Sequence, residues 1–214
     1  MSLWSTANDL RRRSFILGAP LALAACGGGD PVWAPDDVVN AKIFRGSGPK
    51  SLTLYTMRNV GTGNGAHSSL LVDASQRVMF DPAGTFGHAT IPERNDVLFG
   101  MSPRVEDYYV SFHARSSYYV EGQRIVVSDA VAEQALRLVM SHGAVPKAGC
   151  ARAVSAVLRQ LPGFESLRTT YFPNNLRDAF DKLPNVELTE YRENDSDDKS
   201  IAARQIGAAL TAGQ

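Results

Sequence analysis

Two hydrophobic periods divide the chain after residue 50. Alternation over residues 51–57, with Leu52 and Leu54 on one face, predicts a first strand. Residues 67–72 and 77–81 read as a hairpin whose turn is Asp73-Ala74-Ser75-Gln76. A turn centred there pairs residues whose numbers sum to about 148 to 150, so His67 is expected to face Asp81 or its near neighbours. Residues 118–120 and 124–127 predict two strands or one bent strand, and residues 186–191 a last strand. Helical spacing replaces alternation over residues 129–141, where Val131, Ala135, Leu138 and Val139 share a face, with Ser128 or Asp129 at the start and Gly143 at the end. It returns from Cys150 through Val154, Val157, Leu158 and Leu161, and again over residues 173–183. Residues 201–210 carry a weaker period, that of a helix or a frayed tail. Residues 85–115 show no clear period and predict loops with one strand. The expected fold class is α+β, an antiparallel sheet packed against helices, in a single domain over residues 51–191 followed by a charged, solvated linker and C-terminal helix or tail over residues 192–214.

The first 50 residues have a different character. Arg11-Arg12-Arg13, a short apolar run and small residues before Cys26 form a secretory signal over residues 1–25. The apolar run is too short to span a bilayer well. Arg12-Arg13-Ser14-Phe15-Ile16 resembles the twin-arginine export motif, and Leu23-Ala24-Ala25-Cys26 resembles a bacterial lipobox. The second resemblance implies cleavage before Cys26 and acylation of that cysteine, so that a lipid holds the protein on a membrane of the bacterial envelope. Residues 26–50, rich in Gly, Pro and Asp, read as a flexible tether whose end can pack as an extended arm through Val38, Val39, Ile43 and Phe44.

Composition narrows the partners. The 214 residues are 44% hydrophobic, enough for a core, and the formal charge is zero. There is no basic excess to neutralise phosphates, so a nucleic acid is not expected. The sequence holds two cysteines. With Cys26 acylated, Cys150 is a lone thiol that has no disulfide partner. The glycine loop of residues 59–65 lacks the lysine and following helix of a phosphate-binding loop. No histidine or cysteine pair has the spacing of a zinc site. No metal or cofactor is expected, and the protein is expected to be a monomer.

Three residues carry the candidate chemistry. Cys150 falls in the first turn of an amphipathic helix, where free N–H groups and the helix dipole favour a thiolate. His67 can take and return a proton, and Asp81 can fix the orientation of its ring. Singly, each has a plainer role: a small core residue, a strand-edge histidine, a turn former. His88, in a loop beyond the hairpin, is an alternative third member, whereas His113 and His142 have weaker claims.

A Gly-x-His-Ser-x-Leu strand, a second strand ending in a polar residue, and then a cysteine opening a helix resemble circularly permuted NlpC-type, papain-like cysteine hydrolases. In permuted members the histidine precedes the cysteine, as here. The resemblance covers residues 52–164. It implies a papain-like domain in which Cys150 is nucleophile, His67 base and Asp81 the orienting group. Gly149-Cys150-Ala151-Arg152 departs from the family, lacking the Asp or Asn that often precedes the cysteine and the Ser that often follows it. The implied function is hydrolysis of an amide bond, in peptidoglycan stem peptides given the envelope address. Lipid or acyl amidase or thioesterase chemistry, and a non-catalytic module binding cell-wall peptide or a partner protein, are the alternatives.

Overall fold

The computed structural model describes Met1 and residues 29–212. The expected signal segment, apart from Met1, and Cys26 lie outside the described residues. The architecture is α+β: a seven-stranded antiparallel sheet with six helices among the described residues. In chain order the elements are α1 (Asp36–Ala41), β1 (Ser51–Asn59), β2 (Gly65–Asp73), β3 (Arg77–Phe80), β4 (Glu93–Arg94), β5 (Val97–Leu98), α2 (Pro103–His113), β6 (Tyr118–Val126), α3 (Asp129–Met140), α4 (Cys150–Leu158), α5 (Pro173–Phe180), β7 (Glu187–Tyr191) and α6 (Lys199–Ala212). The strands lie in the order β4-β5-β3-β2-β1-β6-β7. No helix among the described residues is long and apolar enough to cross a membrane.

Strand alternation gives the sheet two faces, and each face has its own core. Leu52, Leu54, Leu70, Val72, Val78 and Phe80 point to one side, where α3, α4 and α5 cover them with Leu136, Val154, Leu158 and Leu176. Tyr55, Met57, Leu71 and Met79 point to the other, against α2 and α6 through Tyr109, Val110, Phe112 and Ile206. A fully buried aliphatic side chain contributes about 1.5–3 kcal/mol. The two layers therefore clamp the central strands firmly from both sides.

Residues 85–115 depart most from the sequence expectation. They contain the 11-residue helix α2 and the short hairpin β4–β5. The helix has local signals: Ser102 accepts from the Val105 N–H, and Pro103 occupies the first turn. Its buried residues Tyr109, Val110, Phe112 and His113 are largely aromatic, which obscures the period. Asn95 and Asp96 both have positive φ (45° and 67°), as the two central residues of the β4–β5 turn. Of the two readings for this stretch, the single strand is the one that forms, over Tyr118–Val126.

The segments expected to be tether and solvated tail also have structure. Within residues 29–50, α1 forms, Val39 is buried, and the Ala34 N–H donates to Glu93 O at 2.9 Å. The linker after β7 is pinned: Asp195 pairs with Arg115 at 3.4 Å, and Asp197 accepts from the Ser117 hydroxyl at 2.6 Å. The following helix α6 buries Ala202, Ile206 and Leu210.

Candidate active site

Turn chemistry builds the site. The hairpin register pairs Leu70 with Phe80 and Asp73 with Arg77, so paired numbers sum to 150, and extending it places Asp81 opposite Ser69. His67 therefore reaches Asp81 diagonally on the same face, two residues from the direct partner, rather than straight across. Its Nε2 lies 2.6 Å from Asp81 Oδ1. Residues 81–84 hold the carboxylate in place. The Gly84 N–H donates to Asp81 O at 2.9 Å, across a turn in which Pro82 is followed by Ala83 at φ 57°. A methyl group on Gly84 would overlap the Asp81 carboxylate, so this position requires glycine.

β3 ends at Phe80, which leaves the first half of β2 unpaired on that flank. α4 begins beside this gap. Its first residue, Cys150, packs into the core of the α3–α5 layer, whereas the His67 ring lies toward α2. Cysteine and histidine thus come from opposite sides of the sheet and meet at its open flank. Residues 146–149 form the turn into the helix: the Gly149 N–H donates to Pro146 O at 3.0 Å, and Ala148 has φ 64°. Two left-handed alanines therefore border the site, and each costs about 1–2 kcal/mol relative to a relaxed backbone. No side chain caps α4, so its first-turn N–H groups are left without a capping oxygen.

The charges form a chain. Burial opposes a positive His67, but the Asp81 carboxylate, followed by the Cys150 thiolate, outweighs it and raises the imidazole to about 10. Burial also opposes the Cys150 thiolate. The His67 imidazolium and the N–H groups of Ser68 and Ala151 overcome that and lower the thiol below its ordinary value. Burial likewise works against the Asp81 charge, and His67 and Tyr109 hold the carboxyl below its usual range. The Asp81 carboxylate takes His67 Nε2, leaving Nδ1 for the sulfur. The arrangement can hold a thiolate beside an imidazolium, deliver a proton to a leaving group, and offer helix N–H groups to an oxyanion.

Three further residues complete the surroundings. Tyr109 is fully buried, and its hydroxyl donates to Asp81 Oδ1 at 2.7 Å and also contacts Ser69 Oγ at 2.7 Å. Burial, followed by the Asp81 charge, pushes that phenol well above its usual pKa, so it stays a donor. His113 lies one helical turn on, with its ring 6.0 Å from that of His67 and 13° from parallel. Its Nδ1 donates to Tyr109 O at 2.8 Å. Burial first, assisted by nearby positive charge, lowers His113 to about 3 and keeps it neutral. Lys199, the first residue of α6, lies with His67 and His113 on the wall of one cavity of about 370 Å³. The sequence signal for Tyr109 and His113 was their four-residue spacing behind Ser102-Pro103. Lys199 had none.

His67 and Asp81 are in direct contact at 2.6 Å, and His67 is the group that most lowers the Cys150 thiol. His88 is elsewhere: its Nδ1 bonds Thr90 Oγ1 at 2.8 Å, and its ring packs against Gly207 of α6. The group in contact with the His67 ring is Asp81. His142 packs on Phe80, with ring centroids 5.2 Å apart. Among the described residues, no three His, Cys, Asp or Glu side chains are grouped to hold a metal ion. Comparison of the chain with protein-family models, curated proteins and solved structures finds no match.

Proposed function

We propose that the chain is a thiol hydrolase of the circularly permuted NlpC-type, papain-like kind, acting on an amide bond. The observation that carries the reading is the 2.6 Å contact of Asp81 with His67 together with a cysteine that opens an uncapped helix and whose thiol His67 lowers. The thiolate attacks the substrate carbonyl, and the oxygen takes up the displaced electron pair. His67 gives its proton to the departing amine as the C–N bond breaks, leaving a thioester on Cys150. His67 then takes a proton from water, whose oxygen attacks the thioester and releases the acid and the thiolate. Asp81 keeps Nδ1 directed at the sulfur throughout. The basic run and Leu-Ala-Ala-Cys of the N-terminus support export and lipid anchoring at Cys26, and that address favours peptidoglycan stem peptides.

A lipid or acyl amidase reading has one observation in its favour. Tyr171 and Phe172 are 60% and 66% exposed just before α5, and Arg152 of α4 lies 5.7 Å from the Tyr171 ring. Exposed apolar surface of this kind can take up an acyl chain. Incubation of the protein with muropeptides and with N-acyl amides, read by mass spectrometry, decides between them. Loss of cleavage in both Cys150→Ala and His67→Ala supports the hydrolase; retention in both would end it.

A further inference from the structure

The cavity beside His67 has a composition that the thiol chemistry does not require. Its volume is about 370 Å³, and it is bounded by Met57, Ala66, His67, His113, the loop 83–85, Tyr118 and Lys199. Cys150 is absent from its wall. His67 thus stands between the nucleophile and the cavity. A general acid must touch the group it protonates, so the leaving group belongs on the histidine side of the sulfur.

Two polar groups in the cavity lack strong partners. Lys199 Nζ is 4.9 Å from the centre of the Phe112 ring and has a 3.5 Å contact with Thr85 Oγ1, with no carboxylate in pairing distance among the described residues. The neighbouring acids are engaged: Asp81 with His67, Asp195 with Arg115, Asp197 with Ser117 and Asp198 with the Ser200 N–H. His113 is 5% exposed, and its Nδ1 is committed to Tyr109 O. The neutral ring then presents an unshared pair on Nε2, for which the structure supplies no donor. His113 lines the cavity, so a ligand N–H can be donated to this nitrogen.

We propose that this cavity is the leaving-group subsite and that it selects an amine bearing a carboxylate, an amino acid or short peptide, with the carboxylate on Lys199 and Thr85 and an N–H on His113. The inference rests on the hydrolase reading and extends it to the substrate. The volume, at the small end of ligand sites, suits one or two residues. The reaction then removes a C-terminal amino acid or dipeptide from its acyl donor. An uncharged amine would leave the Lys199 ammonium without a counter-charge.

Binding tests this without turnover. Cys150→Ala protein with labelled histidine rings is titrated with L- and D-alanine, their carboxamides and 1-aminoethylphosphonate, followed by NMR. One enantiomer of alanine is expected to shift the His113 and His67 ring signals and to bind roughly tenfold or more tightly than its amide, the scale of one charge-assisted contact. Lys199→Met, at an exposed position, should erase that preference. Equal affinity for acid and amide, or a preference that survives Lys199→Met, would overturn the subsite. So would binding of the phosphonate alone. If a Lys199-dependent preference is found but the unsubstituted protein cleaves nothing, the subsite stands and the hydrolase reading falls. If cleavage proceeds equally with acid and amide leaving groups, the subsite falls and the hydrolase reading stands.

Discussion

Replacing Asp81 with Asn removes the group on which the thiol's activation rests while nearly preserving shape. The carboxylate lies 2.6 Å from His67 Nε2 and is buried beneath the turn of Pro82 and Ala83. His67 stands at about 10 against an ordinary 6.5, and Asp81 is the foremost cause acting in that direction. At 1.36 kcal/mol per pKa unit, that displacement is about 5 kcal/mol of preference for the imidazolium. The neutral amide removes the largest part of it, so His67 falls toward its ordinary range and holds its proton less firmly. The thiol then loses its first opposing charge and reverts toward the value that burial imposes. Each pKa unit regained by the thiol lowers the thiolate fraction tenfold, so the rate of Cys150 alkylation by iodoacetamide at pH 7 should fall by about tenfold or more. The assay is intact-mass detection of carbamidomethylation against time, from pH 4 to 10. If Asp81→Asn were alkylated at neutral pH as fast as the unsubstituted protein, with the same pH midpoint, the carboxylate would have no part in activation.

Other outcomes follow from the same geometry. Tyr109→Phe deletes the hydroxyl that donates to Asp81 and should cost about 1.5–3 kcal/mol in urea unfolding, as for a hydrogen bond to a charged group. Gly84→Ala should abolish rapid alkylation, because the added methyl displaces the Asp81 carboxylate, whereas Ala83→Gly, at φ 57°, should keep it and raise stability by about 1 kcal/mol. Stability should peak near neutral pH. His113 is depressed to about 3, so its contribution is complete above 6.5 and declines by about 1.4 kcal/mol per pH unit on acidification. The raised His67 acts oppositely, with its contribution complete below 6.5 and lost as the pH climbs through about 10. A flat urea midpoint between pH 7 and pH 5 would contradict the buried neutral His113.

The hairpin and most helix starts were legible in the chain because they depend on local rules. Alternation placed β1 and β2, and Ser128 marked the start of α3. The pairing of His67 with Asp81 followed from turn arithmetic to within two residues, the residual set by where the turn centres. Helix α2 was hidden because its inward face is aromatic and includes a histidine, which breaks the aliphatic period. The approach of Cys150 was not legible at all. It depends on β3 stopping at Phe80 and on α4 reaching around the unpaired flank of β2, a relation across 70 residues that no local pattern encodes. Lys199 was unreadable for the same reason: its place in the cavity depends on α6 folding back over α2.

Thiolate absorbance near 240 nm reports directly whether His67 holds Cys150 as a thiolate. Titrated from pH 3 to 10, the unsubstituted protein minus Cys150→Ser should show one ionisation clearly below the ordinary thiol value of 9.0, moving upward in His67→Ala. A difference spectrum that stays flat until the ordinary thiol range, unchanged by His67→Ala, would contradict the account.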